Sequence, residues 1–211
     1  MKIGIIGSGN IGGAVGAHLA RAGHEVMFAA RDPASAQAAA RSAAHGATSG
    51  TSQEAATFGQ AVIVAVPLKA WPELAQALAP ALAGRIVVDA GNPYPARDGS
   101  IVDAVTRMGR GSGAYVQSLL PASPVVKAFN TLPAQALASD AHAEPPLALP
   151  LASDDPGALD VVEGLVRDAG FAPVRIEGVD GAARFDAGTP VYAKPMSAEA
   201  MRRALGLEPV A

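Results

Sequence analysis

The chain has 211 residues, half of them hydrophobic but only 4% aromatic, so it can bury one generous core filled chiefly by Ala, Val and Leu. A net charge of −3 offers no electrostatic footprint for nucleic acid, and the lack of cysteine excludes disulfides, thiolate nucleophiles and Cys-ligated metals. No apolar run approaches the roughly 20 residues of a membrane span.

Lys2 to Ile6 reads as a buried strand. It is followed at once by Gly7-Ser8-Gly9-Asn10-Ile11-Gly12 and then by a helical apolar pattern over Ala14 to Ala22. Three glycines alone are a weak signal, but a strand before them and a helix after them make a dinucleotide-binding turn. Gly7 permits the tight turn, Gly9 lets backbone approach a pyrophosphate, and Gly12 lets helix and strand pack closely. The pyrophosphate is then expected over the unpaired N–H groups of a helix N-terminus. Gly23 stops that helix, and Glu25 to Ala30 is a second strand. Dinucleotide sites selective for NAD carry an acid about 20 residues past the glycines, on the ribose 2′-hydroxyl. Here that place is Ala30-Arg31. A guanidinium without a carboxylate suits the 2′-phosphate of NADP. The competing reading makes Asp32 the ribose ligand, although Asp32-Pro33 is well explained as the cap and first residue of a helix running to Ala44.

His45 to Gly50 reads as loop, Ser52 to Phe58 as a short helix, and Ala61 to Val66 as a buried parallel strand. Pro72 opens a helix ending near Gly84, and Arg85 to Ala90 is a strand. Gly91 to Gly113 reads as loop around a short helix, followed by a helix over Ala114 to Leu120 and a strand over Val125 to Phe129. Pro133 to Pro150 is irregular apart from a strand over Leu147 to Ala152. A helix from Ser153-Asp154-Asp155-Pro156 to Ala169 and a strand over Phe171 to Ile176 complete the alternation. This pattern predicts an α/β fold with a doubly wound, mostly parallel sheet. Residues 1–211 form a single domain in this reading, with a core over 1–176 and a C-terminal appendage over 177–211.

In such sheets the ligand lies across the carboxyl ends of the strands. Three strand ends are therefore expected on the nicotinamide side: Val66-Pro67-Leu68, Gly91-Asn92-Pro93 and Asn130-Thr131. The chain has no Tyr-x-x-x-Lys pair, and its histidines, His18, His24, His45 and His142, have no metal-ligand spacing. No catalytic acid or base and no metal site is expected. A hydride acceptor that needs no strong protein acid, such as a flavin-like ring, fits this inventory.

Gly7 to Gly13 with Ala30-Arg31-Asp32-Pro33, Val64-Ala65-Val66-Pro67 and Val125-Val126-Lys127-Ala128-Phe129-Asn130-Thr131-Leu132-Pro133 together resemble the NADPH-dependent coenzyme F420 oxidoreductase family. The chain also resembles the NADPH-binding domain of membrane ferric reductases. The resemblance implies a compact Rossmann domain, usually a homodimer, that moves hydride between NADP(H) and a deazaflavin. It implies that Ser8, Asn10 and Ile11 hold the pyrophosphate and that Arg31 holds the 2′-phosphate. Val66, Pro67 and Asn92 would border the nicotinamide, and Asn130, Thr131, Leu132 and Pro133 would floor the acceptor site. Archaeal members often carry His where this chain has Asn130, and an aromatic residue where it has Leu68.

Two functions are open. One is an NADPH-dependent reductase of coenzyme F420, FMN or FAD. The other is an NADP(H)-binding redox sensor or partner-serving module without turnover of its own. The expected partner is a small redox molecule, with no nucleic acid and no membrane. With no secretory pattern at the start, a cytoplasmic location is expected.

Overall fold

The computed structural model describes residues 1–207. The first strand, β1 (Lys2–Ile6), sits at the middle of an eight-stranded sheet of order β3-β2-β1-β4-β5-β6-β7-β8. The others are β2 (Glu25–Ala29), β3 (Thr48–Gly50), β4 (Ala61–Val64), β5 (Ile86–Asp89), β6 (Val125–Lys127), β7 (Ala148–Ser153) and β8 (Ala172–Glu177). Pairing is parallel from β3 through to β6. The β6–β7 pair is antiparallel and β7–β8 is parallel again.

Both faces of the sheet are covered, which is why its central strands are apolar in continuous runs rather than at alternate positions, with Lys2, Asp89 and Lys127 only at strand ends. Ile3 and Ile5 of β1 and Ile63 of β4 point to one face, where they meet Val15 and Leu19 of α1 (Asn10–Arg21). The same cluster takes in Ala36 and Ala40 of α2 (Pro33–Ala43) and Val162 of α9 (Pro156–Asp168). Ile6, Val62 and Val64 point to the other face. There they meet Ala55 of α3 (Ser52–Phe58), Trp71 and Leu78 of α4 (Trp71–Leu82) and Val116 of α7 (Gly111–Leu119). A third cluster joins β7 and β8 to Phe185, Val191 and Met201 of the last segment, with Met201 on α10 (Ala198–Ala204). This segment falls in the stretch, residues 177–211, that the sequence reading sets apart as a C-terminal appendage, of which 208–211 lie outside the described residues.

Several boundaries differ from expectation. Helix α1 begins at Asn10, directly after the glycine turn, not at Ala14. Thr48 to Gly50, read as loop, adds β3 to the edge of β2. The stretch read as loop around a short helix holds α5 (Pro95–Asp98), α6 (Ser100–Met108) and the start of α7. α8 (Ala134–Ser139) lies in the segment read as irregular. Strand β6 ends at Lys127 because Phe129 adopts φ +62°, a left-handed conformation that turns the chain out of the sheet. Among the described residues no helix is long and apolar enough to cross a membrane, and no cluster of His, Asp or Glu has metal-binding form.

The topology positions a crevice. From β1 the chain proceeds outward to β2 and β3, then returns to pair β4 on the opposite side of β1. Connections leave the carboxyl ends of β1 and β4 in opposite directions, so a gap opens between them.

Candidate functional site

The gap is bordered first by the glycine turn. Gly7 has φ +97°, and its N–H donates to the Ala29 carbonyl at 2.9 Å, tying the turn to the end of β2. A Cβ on Gly7 would lie 2.4 Å from the Ala65 carbonyl oxygen, and one on Gly12 would lie 2.0 Å from that of Gly7. Strand, turn and helix touch too closely there for any side chain. Gly9 is different, because a Cβ on it meets nothing within 4 Å. As the N-cap of α1 it also supplies no side-chain cap, so the first-turn N–H groups remain open at the positive end of the helix. The buried Ser8 Oγ has no hydrogen-bond partner. Open room, an uncapped helix and an orphaned hydroxyl together fit a phosphate-bearing group.

A cavity of about 310 Å³ runs from this turn across the strand ends. Gly9, Asn10 and Ile11 line one end, and Ala65 to Pro67 and Ala90 to Asn92 follow. Asn130, Leu132, Pro133 and Ala134 line the far side with Tyr94, Arg97 and Tyr192. Most residues expected at the strand ends therefore share one space. Three do not line it. Leu68 is fully buried in the core beside Trp71, Thr131 is buried, and Pro93 lies just off the lining.

Asn92 and Asn130 are locked together. The Asn92 side-chain Nδ2 donates to the Asn130 carbonyl at 2.9 Å. In return the Asn130 Nδ2 donates to Asn92 Oδ1 at 3.1 Å and to the Phe185 carbonyl at 3.3 Å. Asn130 Oδ1 is left buried without a donor. The left-handed Phe129, its ring fully buried, is what presents Asn130 to the cavity.

Beneath the floor lies a polar network not anticipated from the sequence. Lys127 and Asp89, both fully buried, pair at 2.7 Å, and Lys127 Nζ also donates to the Gly91 carbonyl at 2.5 Å. Asp89 Oδ1 accepts from Trp71 Nε1 at 3.1 Å and from the Gly91 N–H at 3.0 Å. Asp186 Oδ1 stands 3.8 Å from the same ammonium and accepts from Ser112 Oγ at 2.6 Å. The signal was present in the sequence, because Asp89 and Lys127 are opposite charges at the ends of two apolar strands that pair in register.

The cavity wall was missed for a different reason: Arg97 sits on the one-turn helix α5, with Tyr94 at its cap, and Tyr192 sits in a turn. Arg97 lies 4.7 Å over the Tyr94 ring, and its Nη2 donates to the Asn92 carbonyl at 2.7 Å and to Asp98 at 2.8 Å. Burial works against the Asp98 carboxylate, but the Arg97 guanidinium and the N–H groups of Tyr94 and Lys69 outweigh it and hold its pKa below the usual range. Tyr94 and Tyr192 are hydrogen-bonded through their hydroxyls. Burial, reinforced by that bond, pushes the Tyr192 phenol up and keeps it neutral.

A second cavity of about 470 Å³ lies at the ends of β2 and β3, lined by Ala30, Arg31, Pro33, Gln37, Glu54 and Ser49 to Ser52. Arg31 is exposed there and makes no hydrogen bond or ion pair among the described residues. Asp32 is turned away to cap α2, accepting from the Ala34 N–H at 3.1 Å and from Ser35 Oγ at 2.8 Å. Glu54 is occupied by the capping box of α3, where the Thr51 N–H and hydroxyl hold its carboxyl below the ordinary range.

Comparison with known proteins agrees with this geometry. Residues 2–93, from β1 through the end of β5, match the model of a family described as NADP oxidoreductase, coenzyme F420-dependent. A hypothetical protein from Sinorhizobium meliloti of known crystal structure is 30% identical, with a TM-score of 0.78 over 93% of this chain and 95% of that one. A putative F420-dependent NADP-reductase from Arthrobacter sp. FB24 shares the fold at TM-score 0.75 and 24% identity, over 87% of each chain. Metalloreductase STEAP3 of Rattus norvegicus is 30% identical over 187 residues, 88% of this chain, and the chain spans 36% of that protein's length. Over its first five strands the chain is thus similar to the family of coenzyme F420-dependent NADP oxidoreductases, and over nearly its whole length to the Sinorhizobium protein.

Proposed function

We propose that the protein transfers hydride between NADP(H) and a flavin-like ring acceptor, either coenzyme F420 or FMN or FAD. The observation that carries this reading is the lining of the first cavity. It joins an uncapped helix N-terminus to a far end of Leu132, Pro133 and Ala134 beside two tyrosines and an Arg97 paired to Asp98, and among the described residues it contains no carboxylate, imidazole or lysine amine. Such a site suits a reaction that is mostly juxtaposition of two rings with water excluded.

In this reading Ser8, Asn10 and Ile11 hold the pyrophosphate and Arg31 holds the 2′-phosphate. Val66, Pro67, Gly91 and Asn92 border the nicotinamide, while Asn130, Leu132 and Pro133 floor the acceptor. When bound, NADPH supplies the hydride. The chain's own residues bind, orient and exclude water. A second reading, an NADP(H)-binding module that serves a partner, is favoured by the chain's match to only part of a longer metalloreductase. Spectrophotometric assay of NADPH oxidation with F420, FMN and FAD in turn separates the two. Turnover with any of them supports the reductase, and tight NADPH binding without turnover supports the module.

A further inference from the structure

Among the described residues that line the first cavity, Asn130 carries a side-chain oxygen, Oδ1, with no donor. The residue is 3% exposed. Its orientation is fixed, because Nδ2 faces the Asn92 Oδ1 and the Phe185 carbonyl, and Asn92 is fixed in turn by the Asn130 carbonyl. Flipping either amide would set oxygen against oxygen. The unpaired atom is therefore an acceptor, and a buried acceptor is relieved only by a donor brought in from outside.

The opposite need stands in the same cavity. Tyr94 and Tyr192 both line it with their hydroxyls joined to each other. Two neutral phenols carry two hydroxyl hydrogens, and their mutual bond uses one. Among the described residues the second has no acceptor. Arg97, the one formal charge on the wall, is neutralised by Asp98. The far end of the space, away from the open N–H groups of the glycine turn, thus sets a free acceptor beside a free hydroxyl donor.

The geometry points to a reader of amide edges: Asn130 Oδ1 accepts from a ligand N–H, and the Tyr94–Tyr192 pair donates to the neighbouring ligand carbonyl. An anionic substrate is disfavoured, since its oxygens would face Asn130 Oδ1. This inference rests on the reading that the cavity takes the nicotinamide and the acceptor ring, both of which carry such an edge. One is the carboxamide of the dinucleotide, and the other is the pyrimidinedione of a flavin or deazaflavin.

Two matched pairs of ligands tell these sources apart in the unmodified protein by equilibrium binding. NADP is compared with its 3-acetylpyridine analogue, and lumiflavin with N3-methyl-lumiflavin; each second member lacks the N–H. In one pair the analogue is expected to bind about tenfold more weakly, on the scale of a lost hydrogen bond. The double variant Tyr94→Phe/Tyr192→Phe, which keeps both rings, is expected to lose a similar factor for the parent compound of that pair. Equal binding within each pair, or no loss in the double variant, overturns the inference. Turnover with flavins alongside equal binding leaves the reductase standing without the reader. Discrimination in the NADP pair without any turnover leaves the reader standing without the reductase.

Discussion

A Cβ at Gly9 points into empty space, whereas one at Gly7 or Gly12 would strike backbone within 2.4 Å. The three glycines of one motif therefore answer differently to substitution. Gly9→Val fills the mouth of the first cavity at a backbone conformation that Val tolerates, φ −74° and ψ −161°. It is expected to abolish binding of NADPH and NADH alike in calorimetry, while lowering fold stability by only about 1 kcal/mol through the poorer cap. Arg31 stands exposed and partnerless in the second cavity, so Arg31→Ala removes no internal contact. NADPH binding is expected to weaken by about 1.5–3 kcal/mol, the scale of a charged hydrogen bond, with NADH little changed. Equal losses for both nucleotides would sink the 2′-phosphate assignment. At this scale the glycines, Arg31 and Asn92 were legible because motif spacing names them. Tyr94, Arg97 and Tyr192 were not, because nothing in the composition of a turn or a one-turn helix says which cavity it will wall.

At the scale of elements, the join between β5 and β6 is electrostatic as well as main-chain, through Asp89 and Lys127 in register. Removing one partner strands the other charge in the core. Lys127→Met is expected to cost about 3–5 kcal/mol in urea unfolding, far more than its change in side-chain volume suggests. A smaller loss, near 1 kcal/mol, would mean that water reaches the pair. Periodicity read β1, β4 and β5 well, since each is a continuous apolar run between turn residues. It missed β3, whose Thr48-Ser49-Gly50 is polar and becomes a strand only because β2 has a free edge. It placed one short helix where α5 and α6 lie, and none at α8, whose six residues are too few for a helical period to show. The antiparallel turn into β7 was invisible for a simpler reason, as side-chain alternation carries no direction.

For the molecule as a whole, acid stability follows from two buried groups. Burial is the main cause that lowers the His18 pKa below its ordinary value of 6.5, and its Nε2 lies 3.0 Å from the Leu137 carbonyl. The unfolded chain then binds a proton near pH 6.5 that the folded chain refuses, so stability falls as pH drops below that value. Asp98 is also held below its ordinary value, and its contribution disappears only lower, as pH falls through its folded pKa. Urea unfolding across about pH 8 to 2 is expected to show a first loss starting near pH 6.5 and a second below the ordinary carboxylate range. His18→Gln, which can still donate to Leu137, should erase that first step and spare the second. A step of unchanged size in that variant would assign it to another group.

The family match ends at Pro93, and the walls on the far side of the first cavity come from Tyr94 to Tyr192. The half of the site that faces the glycine turn is thus complete within the first five strands. Everything proposed to face the acceptor is contributed later in the chain and held by contacts such as the Ala193 N–H on the Thr131 carbonyl at 2.8 Å. Grafting the later segment from one relative onto the earlier segment of another should exchange what is reduced while the electron donor stays the same.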